Sequence, residues 1–257
     1  MPPTSSIPPY PALDAAFMAA LVCYVLALVL TLVRPPWGRV ALGLGAGLHL
    51  AVTTGRGVVE GFLPLSNKME SFSAAALALA GVTLLAWRPQ RAFAVPLVAL
   101  IVAAMATASM FPGSMSYPMP LLRTAWYPLH VPLSFACYGL WFAAAAAGAA
   151  WVRDRDPAWL RAVDRHALQG FALWSVSMVF GGIWGVVAWG AYFMWDPKVI
   201  WSVILWFHYA SFVHLRLTPS VANRPWVRVG LAWAGALWVL VAYVGTSFFF
   251  GRSSHAF

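Results

Sequence analysis

The chain has 257 residues, 62% of them hydrophobic and only 9% charged, where soluble domains usually carry about a quarter of their residues charged. With a mean hydropathy of +0.77 and no long polar stretch, this excludes an ordinary soluble globule and a soluble domain on a single anchor. What remains is one membrane-embedded domain over residues 1–257.

A formal net charge of +9, from 16 Lys+Arg against 7 Asp+Glu, is arranged in short basic clusters between apolar runs. That is how topology determinants are placed, and no nucleic-acid-binding surface is expected. Cys23 and Cys137 both lie inside apolar runs and form no CxxC pair, so neither a disulfide framework nor a redox pair is indicated.

In chain order, the opening MPPTSSIPPYP carries no basic stretch, so the apolar run after it is expected to be a first membrane helix and not a cleaved signal peptide. Crossing a hydrocarbon layer of roughly 30 Å takes about 20 helical residues. Runs of that kind lie near residues 14–33, 38–54, 71–87, 92–110, 128–152, 169–189, 199–216 and 227–249. The expected fold is therefore all-α, a polytopic bundle of about eight transmembrane helices in the lipid bilayer. If the spans alternate, Arg34, Arg39, Arg88, Arg91, Arg153, Arg155, Arg161, Arg165, Arg216, Arg224 and Arg228 share one side, which is eleven of the sixteen basic residues. The positive-inside rule makes that side cytoplasmic and puts both termini, with the connections near 55–70, 111–127 and 190–198, outside it.

The first candidate site along the chain is LPLSNKMES, residues 63–71, where Ser66 or Asn67 can cap a helix and Glu70 can close a capping box or meet a ligand. The segment FPGSMSYPMPLLRTAWYP, residues 111–128, reads as irregular interfacial chain. The densest signal is WGVVAWGAYFMWDPKVIW, residues 184–201, which sets Trp184, Trp189, Tyr192, Phe193, Trp195 and Trp201 around Asp196 and Lys198. An interfacial aromatic belt explains part of this richness. Its concentration in one connection beside an acid-Pro-Lys turn fits a shelf for a large planar ligand with polar substituents at its rim.

Imidazole is the commonest metal ligand and a frequent axial ligand of haem iron. Of the six histidines, His130 stands at the outer start of the fifth span and His255 just beyond the outer end of the eighth. Both share a depth with the tryptophan turn, as ligands or as solvated interfacial residues. His214 follows Asp196 by 18 residues, roughly 27 Å of helix, and so belongs to the other side. His49 falls near the mid-membrane, where ionisable groups are functional candidates unless a neighbouring helix satisfies them. His208 precedes His214 by six residues, about 600° of helix rotation, and points elsewhere. His166, among Arg161, Asp164 and Arg165, is expected to be solvated surface.

The 184–201 run resembles the tryptophan-rich WWD motif of haem-handling membrane proteins. Its WDPK form resembles the CcsA (ResC) family of System II cytochrome c biogenesis more than the CcmC and CcmF families, which usually read WDAR. PLSNKMES resembles that family's PLSNLYES, and LHVPLSFACYGL resembles its segment bearing an outer histidine. VHLRLT resembles the family's LHTR, and VGTSFFFGRSSHAF its final histidine segment, so the likeness runs from residue 63 to residue 257.

The resemblance implies that Trp184, Trp189, Tyr192, Trp195, Asp196, Lys198 and Trp201 hold haem b outside the cytoplasmic (inner) membrane, with His130 and His255 as axial ligands. It also implies an inner haem site at His214, whose other ligand comes from a CcsB (ResB) partner; His49 is the in-chain alternative. The implied activity is the membrane half of a cytochrome c haem lyase (synthase), which moves haem outward and presents it to the CxxCH segment of apocytochrome c. A haem transporter handing its cargo to a chaperone, a b-type electron-transfer cytochrome and a transporter of an unrelated solute are the rivals. Two departures stand out: Val199-Ile200 replaces the family's Glu-Thr after WDPK, and Lys68-Met69 replaces its Leu-Tyr.

Overall fold

The computed structural model describes residues 7–222 and 224–248, so His255 lies outside the described residues. Among those residues every regular element is helical, in two compact units divided at Pro128 and Leu129.

The first unit holds α1 (Pro11–Val33), α2 (Pro35–Glu60), α3 (Lys68–Ala86) and α4 (Arg91–Ser109). Arg34 alone separates α1 from α2; it precedes Pro35, a position that disfavours helical backbone, and its φ of −137° breaks the first helix before the proline starts the next. The two helices then run back along each other so closely that a Cβ at Gly38 would stand 2.2 Å from Thr31 Oγ1. α1 also packs on α4, and α3 on α2 and α4, around a core of Tyr24, Leu42, Leu97, Ile101 and Met105. Asn67 caps α3 by accepting from the Glu70 amide at 2.9 Å. Glu70 Oε2 in turn accepts from Ser66 N at 2.8 Å, so the expected capping-box chemistry is formed with Ser66 as the reciprocal donor.

The second unit holds most of α5 (Trp126–Asp154), then α6 (Pro157–Trp189), α7 (Pro197–Leu217), the short α8 (Pro219–Ala222) and α9 (Pro225–Leu240). A π turn at 241–245 and a last turn, α10 (Thr246–Phe248), continue α9. Asp156 and Asp196 stand before the opening prolines of α6 and α7 and accept from Ala158 N and Lys198 N at 2.8 and 2.9 Å. Proline suits the first helical turn and Asp satisfies its amides, so both starts are written in the sequence.

Expectation and structure differ at the start of α6. The helix begins at Pro157, not near residue 169, because the arginine-bearing segment is amphipathic: Trp159, Leu160, Val163 and Ala167 are buried. His166 is buried with them at 5% exposure, which corrects its reading as solvated surface. Its charged neighbours directed that expectation, whereas helical periodicity turns it inward. Arg228, at the start of α9, bonds both oxygens of Asp164 on α6, with Nε at 3.0 Å from Oδ1. Arg216, at the end of α7, stands 3.4 Å from the same carboxylate, so one acid gathers three helices. In the same unit Trp141 stacks flat on Tyr209, centroids 3.9 Å apart, with Trp174 at 5.6 Å from Trp141.

Among the described residues seven helices, with 225–248 taken as one, are long and apolar enough to cross a membrane. α2 is the eighth long helix; its 26 residues would suffice in length, but Arg39, His49, Thr53, Arg56 and Glu60 lower its hydropathy. The polytopic bundle of the expected class is thus present.

Candidate functional site

In the second unit, α6 ends at Gly190, whose φ of +74° is the left-handed position that lets its amide bond Val186 O. The chain then folds back along α6 instead of continuing outward. Tyr192 lies over Gly182, where a Cβ would stand 2.4 Å from its ring. The aromatic residues of this turn are unusually open: Trp195 is 86% exposed, Tyr192 63% and Phe193 46%. Phe193 and Trp195 meet edge to face at 5.3 Å. The buried Asp196 closes the turn as the cap of α7. Lys198 follows in the first turn of that helix, and Trp201 packs against Trp238 of α9 at 5.7 Å.

Trp184 differs from the exposed group. It is 3% exposed, meets Trp189 edge to face at 4.8 Å, and stacks on the His130 ring at 6.3 Å and 27°. Apart from Trp201, the sequence-selected aromatics therefore form two sets, an open surface of Tyr192, Phe193 and Trp195 and an inner wall of Trp184 and Trp189.

His130 is held closely. Its Nδ1 stands 2.8 Å from the Ser177 carbonyl, an atom that only accepts, so Nδ1 carries the proton and donates. In the neutral ring Nε2 then holds the lone pair, the arrangement by which a backbone carbonyl fixes the tautomer of a metal-ligating histidine. Ser177 Oγ and Ser134 Oγ both donate to the His130 carbonyl, at 3.0 and 2.9 Å. Room for the ring comes from Gly181, where a Cβ would stand 2.7 Å from His130 Cε1. Adjacent glycines thus seat His130 and Tyr192 against the same turn of α6. Sequence reasoning passed over Ser177, Gly181 and Gly182; the Gly-Gly pair two turns before Trp189 was the available signal.

This predicts that Gly181→Ala displaces the imidazole without unfolding the bundle, since the clash is with one side chain. A purified variant should keep its helical circular dichroism and lose whatever ligand signal depends on His130; retention of that signal would show that the ring tolerates the methyl.

The remaining histidines divide by the nitrogen each leaves open. His214 on α7 is exposed, and its Nδ1 donates to the Ala210 carbonyl at 2.7 Å, so Nε2 is the nitrogen facing away from that bond. His208 donates through Nε2 to Leu231 O of α9 at 2.9 Å, a structural bond between helices. In the first unit His49 is fully buried with both nitrogens engaged, Nδ1 with Tyr24 Oη at 3.0 Å and Nε2 with Ser73 Oγ at 2.7 Å. That is a satisfied core histidine holding α1, α2 and α3 together. Among the described residues no three His, Cys, Asp or Glu side chains converge as ligands for a bare metal ion.

Comparison with known proteins bears on what this arrangement serves. The family profile described as "Cytochrome C assembly protein" matches residues 65–251. The cytochrome c biogenesis protein CcsA of Porphyra purpurea is 38% identical over 89 residues, 34% of this chain and 27% of that protein. CcsA of Prochlorococcus marinus (strain AS9601) is 38% identical over 84 residues, 33% of this chain and 26% of that one. For CcsA of Guillardia theta the figures are 36% over 89 residues, 34% and 28%. The chain thus spans about a quarter of the length of the curated relatives it matches. Because the family profile covers α3 through the end of the described helices, including His130, its serine and glycine supports and the whole tryptophan turn, the chain belongs to the cytochrome c assembly protein family.

Proposed function

We propose that this chain is the haem-handling membrane subunit of a cytochrome c synthase, with haem b as its substrate. The observation that carries the reading is the His130 imidazole, clamped through Nδ1 so that Nε2 is the nitrogen left for iron, in the same unit as a turn of exposed aromatic rings. Porphyrin is flat and apolar with two carboxylates at one edge. Tyr192, Phe193 and Trp195 suit its face, and Lys198 supplies a cation for a propionate. Haem iron needs only one protein ligand on each face, so a single anchored imidazole can serve one of them.

In this reading the tryptophan turn faces away from the cytoplasm, in keeping with the basic residues on the opposite connections. His255 is the second axial ligand of that outer site. His214, with its open Nε2, belongs to an inner site, completed by a partner of the CcsB (ResB) kind. The chain's own residues fix the porphyrin and leave its vinyl edge accessible. Each thiol of an apocytochrome CxxCH segment then adds across a vinyl double bond, sulfur to one carbon and hydrogen to the other, with no net redox change. Positioning is the whole of the contribution asked of the protein. The CxxCH histidine replaces one axial imidazole as the product leaves.

The test is co-expression with a CcsB-type subunit and an apocytochrome c, followed by haem staining after denaturing electrophoresis. Covalent haem that depends on this chain is expected. Haem bound to the purified chain without any attachment would instead indicate a carrier that hands haem to a chaperone.

A further inference from the structure

At the end of the first unit that carries the 61–67 and 111–115 segments, three charged side chains are almost completely buried. Arg56 is 3% exposed, Glu60 2% and Glu70 2%. Arg56 spends its guanidinium on Glu70 Oε1 at 3.0 Å and on the Gly113 carbonyl at 3.1 Å. Glu70 is otherwise satisfied by Ser66 N. Glu60 is not: Arg56 stands 3.7 Å from it, and no described donor reaches either of its oxygens at hydrogen-bonding distance. Its carboxyl faces that of Glu70, and two ionised carboxylates are both acceptors, so a hydrogen bond between them requires a proton.

We propose that Glu60 and Glu70 together bind one proton, which locks the 61–67 and 111–115 segments onto the ends of α1, α2 and α3. One guanidinium cannot neutralise two buried carboxylates, and the cheapest way to remove the excess charge is protonation of the acid with no other partner, Glu60. Glu60 lies beyond the apolar run 38–54. Burial, then the neighbouring Glu70 carboxylate, raises its affinity for a proton, against a smaller pull from Arg56. The other titratable groups around the cluster are few. Asp14 of α1 approaches Arg56 at 4.0 Å and is half exposed. Tyr127 donates to Leu65 O at 2.8 Å. Lys68 lies over the Phe111 ring, and Arg123 donates to Pro118 O. α4 contributes none, since its Arg91 is at the opposite end, bonded to Val33 O.

A group that holds its proton more tightly when folded contributes stability that is full below its unfolded pKa, about 4.3 for Glu, and is lost as pH rises through the folded value. The purified full-length protein should therefore melt at progressively lower temperature as pH rises from about 5 to about 8, between the unfolded and the folded value, and level off above that. Glu60→Gln, a neutral isostere, should remove that slope and melt no lower than wild type at neutral pH. Glu70→Gln, which loses the bonds to Arg56 and Ser66, should melt lower. Infrared difference spectra should contain a protonated carboxyl C=O band at neutral pH that disappears in Glu60→Gln. An unchanged slope in Glu60→Gln, failure of that variant to fold, or the absence of the band from wild type would each overturn the proposal.

Discussion

Replacing His130 with Gly is expected to remove the haem absorbance of the outer site from the purified protein, and added imidazole should bring it back. The ring is anchored at Nδ1 by Ser177 O and seated against Gly181, so its removal leaves an imidazole-sized opening with the anchoring carbonyl intact. Loss of groups that merely orient a metal-ligating histidine costs about 10- to 100-fold in affinity, and loss of the ligand itself should exceed that. Ser177→Ala keeps the carbonyl and deletes the hydroxyl, which lies within hydrogen-bonding distance of Ser134 Oγ, the His130 carbonyl and His130 Nδ1, so it should weaken haem retention without abolishing it. The measurement is the Soret band, oxidised and reduced, at equal protein concentration. A Soret band unaltered in His130→Gly would refute the ligand assignment and with it the outer site.

The second large effect is expected at Arg56→Ala. Its guanidinium is the cation that ties Glu70 of α3, Asp14 of α1 and the Gly113 carbonyl to α2. Removing one partner of a buried ion pair leaves charge without compensation and costs about 3–5 kcal/mol, a large share of a marginal stability. Thermal melting should show a pronounced drop or loss of the folded protein. Because the damage is uncompensated negative charge, adding Glu70→Gln to Arg56→Ala should recover part of it, and the double-mutant cycle measures the coupling. A mere additive loss would show that Arg56 acts through packing.

Much of the fold is local and was legible. Arg34-Pro35 places a helix start by steric restriction and Asp196-Pro197 by capping as well, independent of any distant residue, whereas the apolar run put the start of α6 near residue 169 and missed Asp156-Pro157. Apolar runs long enough for a bilayer gave the number of long helices. The amphipathic start of α6 was harder to see, because Arg161, Asp164, Arg165 and His166 read as polar chain until Asp164 finds Arg228, 64 residues away. That pairing decides which face of the helix turns inward.

What the sequence by itself determined is the membrane-embedded helical class, the tryptophan turn and the histidines worth considering, since these rest on composition, periodicity and short spacings. Only the tertiary structure decided which ring nitrogen each histidine offers, that Trp184 is a wall while Trp195 is open surface, and that Glu60 is left without a donor. Hydrogen-bond partners and burial are set by helices far apart in the chain, at distances of a few ångströms that no spacing along it encodes.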